Sequence, residues 1–408
     1  MSGTTHPQAR SGAVLDSTQH PNPLAKHYTR FRVAERVLLT GHSHQAWPDV
    51  GFEGQMEAWN DAAELVDEKW ARAEEKAERV RRGYAKLLGD RDGTIGLAQN
   101  THDLLVKLLS ALPLRERPRL VTTDGEFHTI RRQLDRLSEE KWIEIVKVSA
   151  TPASSAAERL AAACDTRTAA VLASSVLYKN AHVVPNLRTV AERCRAVGAE
   201  LVVDAYHQIN VLPFSLERDG LGDAFVTGGG YKYCELGEGN GYLRVPPGRD
   251  HLRPVITGWF SEFARLTKQV NPGVAYGEGG ARWATGTYDP TSHYRAARVF
   301  DFFEAQGLTP EVLSASYRHQ VAFLAERFDA LDLDPKRITR DGSVPLTSIG
   351  GFLALDSPHS EALQRGLRAR GVQIDIRGTT MRLGPAPYLS DTQLRAAMDA
   401  LGEAVRSL

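Results

Sequence analysis

The 408-residue chain balances 50 basic against 50 acidic residues and is 42% hydrophobic and 25% charged, an ordinary globular composition that excludes wholesale disorder. With no basic excess to favour nucleic acid or an anionic membrane, and no apolar run near the ~18 residues a span needs, a small-molecule partner is expected. Its three cysteines, Cys164, Cys194 and Cys234, lack metal-type spacing and cannot all pair, which with no signal peptide fits a reducing cytoplasm.

The opening MSGTTHPQARSGAVLDSTQHPNP is polar and rich in turn formers, and residues 1–30 read as a disordered or loosely draped arm. From about Gln55 to Leu88 the pattern predicts one long charged helix with Trp59, Leu65, Val66 and Trp70 on its apolar side. An alternation follows. GTIGLAQN (93–100) reads as a strand, and THDLLVKLLSAL (101–112) as a helix with apolar residues at 104, 105, 108, 109 and 112. RLVTTD (119–124) is a strand, FHTIRRQLDRL (127–137) a helix, AAVLASSVL (169–177) a strand and NLRTVAERCRAVG (186–198) a helix ending in glycine. ELVVDAYH (200–207), AFVTGG (224–229) and GYLRV (241–245) are three more strands. Such alternation predicts an α/β fold with a mostly parallel sheet covered by helices on both faces. After Tyr294 two amphipathic helices (294–307 and 311–331), strands at 349–356, 372–378 and 380–387 around another helix, and a closing helix (390–408) form a smaller α+β domain.

Ligands of an open α/β sheet sit outside the carboxyl ends of its strands, and several polar groups fall there. TGGGYKYCELGEGNGYL (227–243) holds six glycines around Lys232. Glycine packs nothing and costs backbone entropy, so something must approach the backbone closely. The G-x-x-x-x-G-K-[ST] phosphate loop is absent, which leaves a solvated lysine or a Schiff-base nucleophile. Asp204 ends an apolar strand, three residues before His207; a buried carboxylate there would pair with a cation such as a protonated pyridine nitrogen. Asn100 and Thr101 open a helix, as a phosphate site or an ordinary N-cap. Phe127 follows a strand end, where it could stack on a flat ring or join the core. Arg382, on a late strand, could hold a carboxylate bidentately or serve a surface ion pair. His42 and His44 form an H-x-H, but with no third ligand at suggestive spacing no metal is expected.

The order of these groups resembles enzymes dependent on pyridoxal 5'-phosphate (PLP), in the class V branch of the aspartate aminotransferase fold, and the kynureninases among them. The resemblance runs from about Leu38 to Tyr388. GYKY implies that Lys232 binds the cofactor covalently, with Tyr231 beside its phosphate. DAYH supplies Asp204 and His207, NT supplies Asn100 and Thr101, and EFH supplies the stacking Phe127. TGWF carries Trp259, and TGT carries Thr285 and Thr287, which in the family reach a phosphate across a dimer. RLGPAPY supplies Arg382 for the substrate carboxylate. The resemblance thus implies the PLP-dependent transferase fold type I and a homodimer with sites at its interface. It implies an N-terminal segment (31–80) serving the small domain and dimer contacts, a large PLP-binding domain (81–300) and a small domain (301–408). Three segments depart from the family: GHSHQAW (41–47) for N-S-L-G, GEGNG (237–241) for G-P-G, and GTYDP (286–290) for G-T-P-P. The first and last lie near the family's substrate, which leaves His42 and His44 either a substrate-facing role or a place in a plain hydrogen-bonded loop.

What the resemblance implies is hydrolysis of L-kynurenine or 3-hydroxykynurenine at Cβ–Cγ, with Lys232 as base, Asp204 keeping the cofactor nitrogen protonated and Tyr231 donating or accepting a proton. A class V aminotransferase, β-lyase or epimerase acting on another amino acid is the alternative. A desulfurase would need a thiol on a late mobile loop, and the last cysteine here is Cys234. A PLP-fold protein that has lost catalysis is opposed by Lys232, Asp204 and Arg382.

Overall fold

The computed structural model describes residues 15–265 and 273–408. Residues 1–14 of the expected arm lie outside this range, and from Leu15 onward the segment is packed rather than draped. Leu24, Ala25 and Tyr28 are buried, and Asn22 Nδ2 donates to the carbonyls of Pro387 and Leu389. The Tyr28 hydroxyl donates to Glu235 at 2.5 Å. Composition suggests disorder here because these polar side chains bond to partners distant in sequence, which a local reading cannot see. Strand β1 (Val37–Leu38) follows.

The single helix expected over 55–88 is two. Helix α1 (Val50–Leu65) and α2 (Lys69–Leu88) meet at a 3-10 turn, Val66–Glu68, where Val66 takes a φ of 50°. A straight helix of 34 residues would run about 50 Å and could not keep both ends on one partner. The break lets both halves pack on α7 (Thr291–Ala305). Gly54 of α1 lies so close that a Cβ would stand 2.7 Å from the Tyr294 carbonyl, and one on Gly83 of α2 would stand 2.6 Å from the Phe300 ring.

The large domain is built on β2 (Thr94–Ala98), β3 (Arg119–Thr123), β4 (Glu144–Val148), β5 (Thr168–Ser174), β6 (Glu200–Asp204), β7 (Phe225–Gly229) and β8 (Gly241–Val245). They form one sheet of order β2-β8-β7-β6-β5-β3-β4. Only β8 runs against its neighbours; the other pairings are parallel. Helices α3 (Thr101–Ala111) and α4 (His128–Glu139) cover one face, α5 (Ala156–Ala163) and α6 (Leu187–Val197) the other. Alternate residues of the strands serve two separate cores: Leu120 and Val202 pack with Leu104, Leu108 and Leu134, while Val121 and Val203 pack with Leu160 and Val190. Continuous apolar strands such as β5, buried at every residue, are what a sheet covered on both faces requires. Sequence reading passed over β4 and α5, because β4 is a half-exposed edge strand with no continuous apolar run.

After α7, α8 (Pro310–Ala330), α9 (Ser360–Ala369) and α10 (Asp391–Arg406) surround a four-stranded antiparallel sheet. Its order is β12-β13-β10-β9, from β9 (Thr339–Arg340), β10 (Leu353–Asp356), β12 (Asp375–Arg377) and β13 (Thr380–Leu383). The remaining strand, β11 (Val372–Gln373), pairs in parallel with β1, and Thr40 bridges Gly384. The N-terminal segment thereby belongs to the smaller domain and carries residues 40–47 into the seam between the two. Among the described residues no helix is long and apolar enough to cross a membrane.

Candidate functional site

Three adjacent parallel strands, β5, β6 and β7, end together and set the floor of a cavity of about 280 Å³. Asp204, the last residue of β6, stands between Ser174 of β5 and Thr227 of β7 in register. It is buried and accepts from the Tyr206 N–H at 2.9 Å. Burial pushes its carboxyl above the usual range, opposed by that N–H and by the Lys232 charge. A buried carboxylate with one backbone donor is incompletely compensated, and a cationic ligand group would complete it.

Lys232 enters from the turn after β7. Its Nζ lies 2.7 Å from His207 Nε2 and above the rings of Tyr206 (4.5 Å), Phe127 (5.4 Å) and Tyr231 (5.8 Å). Burial brings its pKa down from 10.5 to about 7; Asp204 opposes this and Arg382 adds to it. His207 is fully enclosed and held neutral, chiefly by burial and then by Lys232, so its Nε2 can accept from the ammonium. Lys232 is thus a buried lysine whose proton lies against His207 among aromatic rings, not a solvated surface group.

The glycines around Lys232 have a direct reason. A Cβ on Gly241 would come within 2.6 Å of the Asn100 carbonyl carbon and 2.8 Å of the Thr101 nitrogen, so only glycine lets β8 pass beneath the mouth of α3. Asn100 is the N-cap there, its side chain accepting from the Asp103 N–H at 3.0 Å. The Thr101 hydroxyl donates to the Gly228 carbonyl at 3.2 Å. Thr101 and His102 both line the cavity, and first-turn N–H groups of this kind have no intrahelical acceptor and favour an anion. Phe127 lines the wall, edge to face with Tyr178 at 5.2 Å.

The other expected residues lie farther out. His44 is exposed and stacks on Tyr231 at 5.0 Å, with Glu238 3.8 Å away. His42 turns the opposite way, fully buried against Phe352 at 4.6 Å, and neither ring nitrogen has a hydrogen-bond partner among the described residues. Burial holds it neutral. The two rings of the H-x-H thus do not converge. Arg382 is buried on β13 with Nη1 on the Tyr178 carbonyl (2.7 Å) and Nη2 on Asp375 (2.5 Å). Trp259, Thr285 and Thr287 do not line the Lys232 cavity: Trp259 Nε1 donates to Thr287 at 3.2 Å on an exposed rim. Thr285 faces a neighbouring groove of about 1260 Å³.

Sequence reading missed four groups. Tyr206 sits inside the DAYH stretch and lies beneath Lys232. Glu126, next to Phe127, is buried, accepts from Thr123 (2.6 Å) and Ser174 (2.5 Å), and is pushed up to about 7 by burial. Both are adjacent in sequence to residues already singled out, and that adjacency was the available signal. Tyr178 and Asp375 carried none, since each acts through a backbone or strand pairing that only the fold creates.

The groups present fit PLP on the structure's own terms: a buried strand-end carboxylate for a protonated ring nitrogen, a desolvated lysine for an aldehyde, an aromatic wall, and a helix N-terminus for a phosphate.

No family model matches the chain. It is 27% identical to kynureninase from Pseudomonas fluorescens over 96% of this chain and 94% of that one. It is 23% identical to the uncharacterized aminotransferase YcbU of Bacillus subtilis (strain 168), over 81% and 85%. Among solved structures, a C-DES variant with glycine covalently linked to its PLP cofactor superposes with a TM-score of 0.82 at 16% identity, covering 94% of this chain and all of that one. The chain therefore has the α/β fold of class V PLP-dependent enzymes.

Proposed function

We propose that the chain is a class V PLP-dependent enzyme that hydrolyses L-kynurenine or 3-hydroxykynurenine to anthranilate or its 3-hydroxy form and L-alanine. The observation that carries the class is Lys232, desolvated to a pKa of about 7 in a cavity that also presents Asp204 and the mouth of α3. The substrate reading is supported by the near full-length likeness to a kynureninase and by the aromatic wall of Phe127, Tyr178, Tyr206 and Tyr231, which suits an aryl side chain.

When bound, PLP supplies the electron sink for a carbanion at the substrate Cα. The protein supplies the rest. Asp204 is placed to balance a protonated ring nitrogen. Lys232, released as a free amine, takes the Cα proton at Nζ, and His207 Nε2 at 2.7 Å holds that nitrogen in place. Water then adds to the γ-carbonyl, the Cβ–Cγ bond breaks, the acyl carbon leaves as the aromatic acid, and alanine forms when Lys232 returns its proton to Cα and Cβ is protonated. Tyr231, whose hydroxyl keeps its proton because burial raises its pKa, donates the proton to Cβ. Arg382 takes the α-carboxylate. Trp259, Thr285 and Thr287, with exposed Val255, Ile256 and Phe263 nearby in the chain, meet a second copy in a homodimer and reach its phosphate; sedimentation of a fully active monomer would refute this.

The aminotransferase likeness keeps a second reading in view, a transaminase, β-lyase or epimerase on another amino acid. Desulfurase chemistry is disfavoured because Cys164, Cys194 and Cys234 are all buried. The deciding experiment titrates the PLP-loaded protein with L-kynurenine while following visible absorbance and anthranilate fluorescence. Anthranilate release supports the hydrolase; a cofactor band that ignores kynurenine but responds to another amino acid supports the second reading.

A further inference from the structure

The ion pair behind Arg382 is more than an anchor. Strands β12 and β13 pair antiparallel with Asp375 opposite Arg382, so the two side chains share a face of the small-domain sheet. Asp375 bridges two cations: Oδ2 accepts from Arg382 Nη2 at 2.5 Å and Oδ1 from Arg377 Nη1 at 2.6 Å. Arg382 Nη1 crosses the domain seam to the carbonyl of Tyr178 at 2.7 Å, and Tyr178 lines the Lys232 cavity. The Arg382 side chain is 4% exposed, that of Asp375 12% and that of Arg377 43%. The buried Nε of Arg382 has no partner among the described residues, and His42 Nε2 lies 3.8 Å from Asp375.

Of a guanidinium's five N–H donors, two are committed here, one to each domain. Those two bonds fix the plane of the fork and leave donors for a bidentate carboxylate. Charge supports the same conclusion. Arg382 with Asp375 alone is neutral and would attract an anion weakly. Arg377 restores one net positive charge, and its field reaches Lys232, Tyr231, His128 and His42.

We propose that Asp375 is a positioning residue for recognition of the substrate carboxylate: with the Tyr178 carbonyl it orients Arg382, and with Arg377 it completes an Arg–Asp–Arg array of single net positive charge that accepts one carboxylate. This rests on the reading that Arg382 meets that group. The array is preorganised, so a carboxylate ligand does not have to order a free arginine on arrival. Amines without a carboxylate draw nothing from it.

The test compares two probes that differ only in the carboxylate, L-alanine and ethylamine, titrated into the PLP-loaded protein and read by the cofactor's visible spectrum. In Asp375→Asn the L-alanine dissociation constant rises about tenfold while that of ethylamine stays within about twofold; Asp375→Glu recovers part of the loss. Arg377→Gln gives a smaller shift in the same direction. Unchanged or tighter L-alanine binding in Asp375→Asn overturns the proposal, because removing a negative charge would then have outweighed lost orientation. Equal weakening of both probes also overturns it, since that marks general damage. An Arg382→Lys variant that binds L-alanine normally would instead remove the premise about Arg382. Neither probe has an aryl side chain, so failure to cleave kynurenine does not affect this outcome.

Discussion

The two halves of the site are made in different ways. The half formed by Lys232, Asp204, Thr101 and Phe127 stands on strand ends and a helix mouth of one sheet, where register places Ser174, Asp204 and Thr227 side by side. The half formed by His42, Tyr178, Asp375 and Arg382 is gathered from three distant stretches that meet at the domain seam. The first half is rigid by construction, because moving one group means breaking a buried parallel ladder. The second depends on a few polar contacts across the seam, such as Arg382 to Tyr178, and leaves buried atoms of His42 and Arg382 without partners among the described residues. Unpaired buried polar atoms are costly, so the seam is where ligand contacts have most to contribute. On the proposed reading, chemistry falls to the sheet half and selectivity to the seam half.

That division is broken most directly at the lysine. Lys232→Ala is expected to abolish covalent cofactor attachment and lower turnover by about 10³-fold or more, measured by the cofactor retained on the chain after borohydride reduction and denaturation and by a fluorescence assay. Retained turnover would mean that the sheet half is not the chemical half. Asp204→Asn comes next, at about 100-fold. Here the cofactor stays attached through Lys232, because the amide removes only the charge that balances its ring nitrogen. A parallel loss of attachment and activity would show Asp204 to be structural instead.

The sheet half was legible because its signals are local. A strand, a turn and a polar residue at the turn are read in one short window, and six glycines around Lys232 show that a backbone is approached closely there. Gly241 under Asn100 and Thr101 is the physical form of that signal. The seam half was legible only as isolated residues. Arg382 stood out, yet its partner Asp375 lies opposite it only after β12 and β13 pair, and Tyr178 acts through a carbonyl that any residue would carry. Helix periodicity found the helical stretch ending at Leu88 but not its start at Val50 or the break at Val66, which answers to α7 more than two hundred residues later. Residues 15–30 failed for the same reason: Asn22 and Tyr28 find partners at 387, 389 and 235, beyond any local window.

Proton chemistry sharpens the comparison with a smaller effect. The pKa of Lys232 is lowered, so its charged form is the disfavoured one and its amine is neutral above about 7 rather than above 10.5. Covalent capture of PLP by the cofactor-free protein needs the neutral amine. The capture rate is therefore expected to be flat above about pH 8 and to fall about tenfold per unit below 7, followed by stopped-flow absorbance. A rate that still climbs toward pH 10 would mean that the lysine is not desolvated.

The smallest effect tests whether the mouth of α3 belongs to the chemical half at all. Asn100 caps the helix, accepting from the Asp103 N–H at 3.0 Å and donating from Nδ2 to the Asp103 carboxylate at 3.1 Å. Asn100→Ala should cost about 1 kcal/mol of stability through the lost cap, read as a lower denaturation midpoint of the cofactor-free protein. A residue that only caps would change nothing further. If the same first turn also receives the phosphate, the released Asp103 carboxylate can swing toward the free N–H groups and compete with it. PLP affinity then falls about fivefold beyond the stability loss, and more at low ionic strength, where the carboxylate's field is less screened. A stability loss with unchanged PLP affinity would leave Asn100 as a cap alone and move phosphate binding onto Thr101 and, in the proposed homodimer, the rim of a second copy.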